Sequence, residues 1–212
     1  MTSNVPPLLL TIILNFYYYV FQKIFDRVYS TSQMIIDEEY HLPLGLAYCK
    51  FDFAAWDPKV TTLPGLYLVS AVLLGPFDLC TTYWLRYISF IAAIFNIPLF
   101  FALLSVYHKQ NNYLNVLSSF TLALCPPLFF FGHLYYTETV SLMMILLMFL
   151  ASERDCHYLA SIIGFLAIMV RQTNAIWVGF VLGRYILLEL YATVMNNMRK
   201  CSVRKVFPTW VS

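Results

Sequence analysis

Long apolar runs separated by short polar breaks set the pattern of the chain. They lie at residues 5–21, 83–107, 114–135, 137–151, 156–171 and 175–195. A helix needs roughly 20 mostly apolar residues to cross a bilayer. The runs therefore predict about six transmembrane helices. Several are short, and short spans depend on aromatic flanks, a thin bilayer or a wet cavity. The Pro126-Pro127 pair predicts a break in the third run, whose freed carbonyls then need protein or water as partners. One further run, Leu63 to Gly75, is too short to span comfortably and opens near Pro64-Gly65. It predicts an interfacial or re-entrant helix. The expected fold is an all-α polytopic membrane protein, with a long extramembrane loop that carries short interfacial helices.

Six spans put both ends of the chain on one side. The basic tail "MRKCSVRK" assigns that side to the cytosol. Residues 196–212 then form a cytosolic basic tail, and residues 1–195 a single transmembrane domain. His108, Lys109 and Arg154 also face the cytosol. Residues 22–82 become a loop on the opposite side, with four Lys/Arg against seven Asp/Glu. Lys23 and Arg27, just after the first run, pull locally the other way. The first run has no basic residue before it, which reads as an uncleaved span rather than a signal peptide.

Composition supports the membrane class. Hydrophobic residues make up 60% of the 212 and charged residues 11%, against about 25% charged in soluble domains. Mean hydropathy is +0.69. A net charge of +2 gives no footing for nucleic acid as a partner. Aromatics gather at the ends of apolar runs, as interfacial belts do. The five cysteines show neither a CxxC nor a zinc spacing. Two free thiols are expected at Cys49 and Cys80, with a pairing conditional on an oxidising compartment.

Against this background the acids stand out. Five of the eleven lie between Ile35 and Tyr67: Asp37, Glu38, Glu39, Asp52 and Asp57. Asp37 and His41 share a helix face at i, i+4. Adjacent acids suit a general base, a metal site, or simply the acid-rich first turn of a helix. The stretch "WDPKVTTLPGLY", with Trp56 and Asp57, predicts a turn and a helix start, or a rigid loop closing a pocket. Glu138 in "LYYTETV" is either a dipole-complementing acid capped by Thr137 or a site residue. Arg171, followed by Gln172, sits at the end of an apolar run. It suits a snorkelling cation or a phosphate grip. No P-loop, HExxH, nucleophile elbow or dinucleotide-binding glycine pattern occurs. These residues fit a transferase that uses a lipid-phosphate donor, a proton-coupled small-solute transporter, or a non-catalytic membrane partner.

The motifs "DEEYHLPLGLAYC", "WDPKVTTLPGLYLVS", "LYYTE" and "RQTNAIWV", in this order, resemble the endoplasmic reticulum dolichyl-phosphate-glucose-dependent alpha-1,2-glucosyltransferases of lipid-linked oligosaccharide assembly. Where the family pattern reads DEIFH this chain reads DEEYH, so Asp37, Glu38 and His41 match while Glu39 and Tyr40 do not. The resemblance implies the N-terminal part of a GT-C fold in a chain shorter than its family. It implies dolichyl-phosphate glucose and a dolichyl-diphosphate oligosaccharide as substrates, within the endoplasmic reticulum membrane and with a luminal active face. It further implies inverting transfer of a terminal glucose in N-glycan precursor assembly. Asp37 is then the expected base, with Glu38 second. Arg171 and Gln172 are expected at the donor phosphate, and His41, Trp56, Asp57, Tyr136 and Glu138 along the pocket. No metal or other cofactor is expected, because the donor carries one phosphate rather than two.

Overall fold

The computed structural model describes residues 5–35, 37–109 and 111–206, with side chains described from 7 to 198 within those ranges. Among the described residues all regular structure is helical: α1 (Val5–Thr31), α2 (Glu38–Cys49), α3 (Gly65–Leu74), α4 (Thr82–Tyr107), α5 (Asn112–Ala123), α6 (Pro126–Phe131), α7 (Thr137–Glu153), α8 (His157–Val170) and α9 (Ala175–Val206). Short 3-10 turns follow α3 and precede α9. The all-α membrane architecture is as expected. Three stretches are long and apolar enough to cross a bilayer: Pro7–Thr31, Thr82–Tyr107 and Gln172–Met198. The other apolar runs fold as shorter helices. α8, with 14 residues, is only about 21 Å long.

The first helix overruns its expected end at residue 21. Phe21 and Phe25, one turn apart, are both completely buried, so the packed face continues past Lys23 and carries α1 to Thr31. Lys23 and Arg27 therefore lie on α1 rather than in the loop. The break before Pro126-Pro127 is present, with α5 ending at Ala123 and Pro126 opening α6. The apolar run from Leu63 becomes α3. It is short, but its Leu66 and Tyr67 are buried in a core shared with α2, α4, α7 and α8. α9 continues without interruption past residue 195 to Val206, while residues 207–212 of the expected basic tail lie outside the described residues.

The chain divides into two compact units, Met1–Asn174 and Ala175–Ser212. In the first, α4 is the central helix and packs against α1, α5, α7 and α2. A second core joins α1, α4 and α5 through Tyr17, Phe21, Phe90 and Ile97. The seam between α4 and the start of α7 is polar. Ser89 Oγ donates to the Tyr136 carbonyl (3.3 Å), and Asn96 Nδ2 to the Thr139 carbonyl (3.3 Å). Such bonds fasten helices together where burial among apolar side chains cannot set their register.

The segment between α1 and α4 is folded. α2 packs on α3, and α3 on α8. Gly65 makes the second contact possible, because a Cβ there would stand 2.3 Å from the Met169 carbonyl carbon. The expected free thiols are a correction: Cys49 and Cys80 form a disulfide, with Cα atoms 5.7 Å apart. α2 ends at Cys49, and the chain returns to Cys80 just ahead of α4. Folding thus supplied a proximity that a separation of 31 residues did not reveal.

Candidate functional site

Residues of all four motifs meet at the α2 end of the first unit. Asp37 occupies the N-cap position of α2 (φ −72°, ψ −6°), yet its side chain makes no capping hydrogen bond. Asp37 is exposed. The Tyr136 phenol beside it has its pKa raised by burial and further by the nearby Asp37 carboxylate. The carboxylate is therefore not committed to the helix start.

One turn on, His41 is buried, and its Nδ1 lies 2.5 Å from the Tyr67 hydroxyl. Burial pushes the His41 pKa below the usual imidazole value, against the opposing pull of Glu138, Asp37 and Glu38. Its ring meets that of Tyr136 edge-on at 5.4 Å. The Tyr67 phenol is itself pushed up to about 12, chiefly by burial. At neutral pH the His41–Tyr67 pair is uncharged.

Glu138 and Arg171 come from the first turn of α7 and the end of α8. Arg171 Nη1 donates to Glu138 Oε1 at 2.5 Å. The Arg171 side chain remains 38% exposed, so part of the guanidinium faces outward. Thr137 does not cap α7. That position belongs to Tyr136, and Thr137 Oγ1 instead reaches Glu138 Oε2 (3.3 Å). Gln172 is exposed in the turn after Arg171.

Glu38 departs furthest from its expected role as a second acid. It is fully buried. Arg86, four residues into α4, grips both its oxygens: Nε to Oε1 at 2.8 Å and Nη2 to Oε2 at 2.7 Å. The Tyr135 amide adds a third bond to Oε1 at 2.9 Å. A carboxylate held this way is a strut joining α2, α4 and the α6–α7 turn. Of the expected pocket residues on the stretch leading to Tyr67, Asp57 contributes its charge to the raised Tyr67 pKa. Trp56 is 59% exposed, and Asp57 Oδ1 accepts from the Lys59 amide in a local turn (2.9 Å).

Two residues were missed from sequence. Asn174 is buried and ties α7 to α8, its Nδ2 donating to Ser141 Oγ (2.7 Å) and the Ala167 carbonyl (2.8 Å). Arg86 carried a signal that went unread: an ionisable residue inside the apolar stretch "TYWLRYISF" is a functional or structural candidate by default. Among the described residues, no three His, Cys, Asp or Glu side chains gather as a metal site.

The helices, among them stretches long and apolar enough to cross a bilayer, define an all-α membrane protein. Residues 31–209 match the model of the DIE2/ALG10 family, and the chain belongs to that family. It is similar to a Drosophila melanogaster protein named Dol-P-Glc:Glc(2)Man(9)GlcNAc(2)-PP-Dol alpha-1,2-glucosyltransferase, at 42% identity over 77% of this chain and 37% of the relative. Proteins of the same name from Mus musculus (33% identity, 82% of this chain, 40% of the relative) and Homo sapiens (34%, 78% and 38%) are also similar. The chain thus spans about two-fifths of the length of these curated relatives. No solved structure matches it.

Proposed function

We propose that the chain takes part in transfer of an α-1,2-linked glucose from dolichyl-phosphate glucose to a diglucosylated, dolichyl-diphosphate-linked oligosaccharide. The observation that carries this reading is the exposed Asp37, with no capping bond to its own helix, beside a Tyr136 phenol whose pKa both Asp37 and the Arg171 partner Glu138 raise. A β-linked donor and an α-linked product require a single inverting displacement. The acceptor 2-hydroxyl oxygen forms the new bond to the glucose anomeric carbon. The bond from that carbon to the phosphate oxygen breaks, and dolichyl phosphate leaves with the electron pair. Asp37 takes the hydroxyl proton as general base. Arg171, held by Glu138, supplies countercharge to the leaving phosphate. Its second role as Glu138's partner keeps it in place before the donor arrives. A monophosphate leaving group beside a guanidinium needs no metal, and the reaction is proposed to run without one.

The disulfide also bears on the proposed compartment. The Cys49–Cys80 bond requires an oxidising environment, which supports a luminal position in the endoplasmic reticulum for α2, α3 and the turns that meet them.

The direct test is expression of the chain in cells lacking the glucosyltransferase, with the lipid-linked oligosaccharide analysed by mass. Recovery of the fully glucosylated species is the expected result. Normal membrane insertion without recovery would instead favour the reading as a non-catalytic partner. Arg171→Ala is expected to raise the KM for dolichyl-phosphate glucose by about tenfold, the loss of one charge-assisted contact, with the acceptor KM within twofold. An effect confined to the acceptor would remove Arg171 from the donor phosphate.

A further inference from the structure

A cleft of about 420 Å³ is lined by Tyr29, Ser32, Gln33, Met34, Leu42, Thr82 and Arg86. Its walls are the last turn of α1, the link to α2, and the first turn of α4. The volume lies within the roughly 300–1,000 Å³ of small-molecule sites. The chemistry of the lining is specific. Tyr29 offers an aromatic face, 43% exposed. Ser32, Gln33 and Thr82 offer hydroxyl and amide groups, and Met34 and Leu42 an apolar edge. Arg86 is only 2% exposed. Its Nε and Nη2 are committed to Glu38, while its Nη1 has no acceptor among the described residues. A nearly buried guanidinium thus lines the cleft with hydrogen-bond donors to spare.

The charge balance decides what these donors are for. Glu38 cancels the Arg86 charge through two short bonds, and Asp37, next in sequence, adds a negative charge. A phosphate here would meet no net positive field. A neutral ligand with many hydroxyl groups meets donors, acceptors and an aromatic face. We propose that this cleft is a carbohydrate subsite that holds the glucose arm of the acceptor. The assignment rests on the glucosyltransferase reading above. Asp37 follows Gln33 and Met34 along one short link, so a glucose seated here is delivered to the base by the segment that binds it. The cleft and the Glu138–Arg171 pair then divide the labour, uncharged acceptor sugar at one and lipid phosphate at the other.

The test uses the full chain in detergent and in membranes, with Gln33→Ala and Thr82→Val. Both side chains make no hydrogen bond to a described residue, so folding is not at stake, and an unchanged unfolding midpoint checks this. The binding probe is free methyl α-glucoside, a terminal glucose whose 2-hydroxyl is unsubstituted like the acceptor's, read by ligand-observed saturation-transfer NMR. The wild-type chain is expected to give saturation that each variant reduces by at least threefold, and inorganic phosphate should not displace the sugar. In transfer assays the double variant should raise the acceptor KM about tenfold, with the donor KM within twofold and kcat within threefold. Equal saturation in wild type and variants, displacement by phosphate, or a rise in the donor KM would each overturn the subsite. The two readings fail separately. Variant-sensitive sugar binding without any transfer sinks the glucosyltransferase reading and keeps the subsite. Transfer with an unchanged acceptor KM does the reverse.

Discussion

Replacing Asp37 by Asn is expected to lower kcat for glucose transfer by about 10²–10⁴-fold, the usual contribution of a general base. The amide preserves the size of the side chain, but it cannot take the proton of the acceptor hydroxyl. Because Asp37 is exposed and makes no capping bond, the unfolding midpoint should stay near that of the wild type. The donor KM should also hold, since the phosphate is assigned to Arg171. Glucose transfer measured in membranes, with kcat and both KM values resolved, decides the matter. Near-normal turnover in Asp37→Asn would end the base assignment. An equal loss in Glu38→Gln alone, with folding intact, would move the role to the neighbouring acid.

The second large effect concerns stability. Either Glu38→Ala or Arg86→Ala leaves one buried charge without its partner, which costs about 3–5 kcal/mol. Glu38→Ala also strips the Tyr135 amide of its acceptor. The paired change Glu38→Leu with Arg86→Met removes both charges and fills similar volume. It is expected to recover most of the loss, because an apolar replacement of a buried ion pair is often close to neutral. Unfolding in detergent, followed for the two singles and the paired variant, checks this. Singles that cost under about 1 kcal/mol would show that the pair is solvated and bears little of the fold. The contrast between neighbours is the essential point: Asp37 is expected to matter for turnover and not for stability, and Glu38 the other way round.

Much of the architecture could be read along the chain. Apolar runs located the helices, Pro126-Pro127 located the break between α5 and α6, and the acids before His41 marked the start of α2. Errors came where a local pattern met a tertiary one. The first apolar run stopped at residue 21, but the buried faces of Phe21 and Phe25 carry the helix on to Thr31. Free thiols were the simpler reading of an odd cysteine count, yet α2 and the turn after α3 bring Cys49 to Cys80. Glu138 and Arg171 were placed on one face by counting spans, and they do pair. Their contact needed only that the two helix ends meet at one level.

From the amino-acid order alone came the membrane class, the helical content, the family motifs and the inventory of acids and cations that could act. That much depends on composition and on the spacing of apolar residues, which local physics reads directly. The order could not say which of two adjacent carboxylates is available for chemistry. Successive helix residues point about 100° apart, so one of the pair turns into the protein and the other away from it. Arg86, 48 residues along the chain from Glu38, meets the inward carboxylate because a buried charge must be paired. Asp37 is left outside, beside Tyr136 and His41, whose pKa values feel its charge. Only the packing of α2 against α4 made that choice.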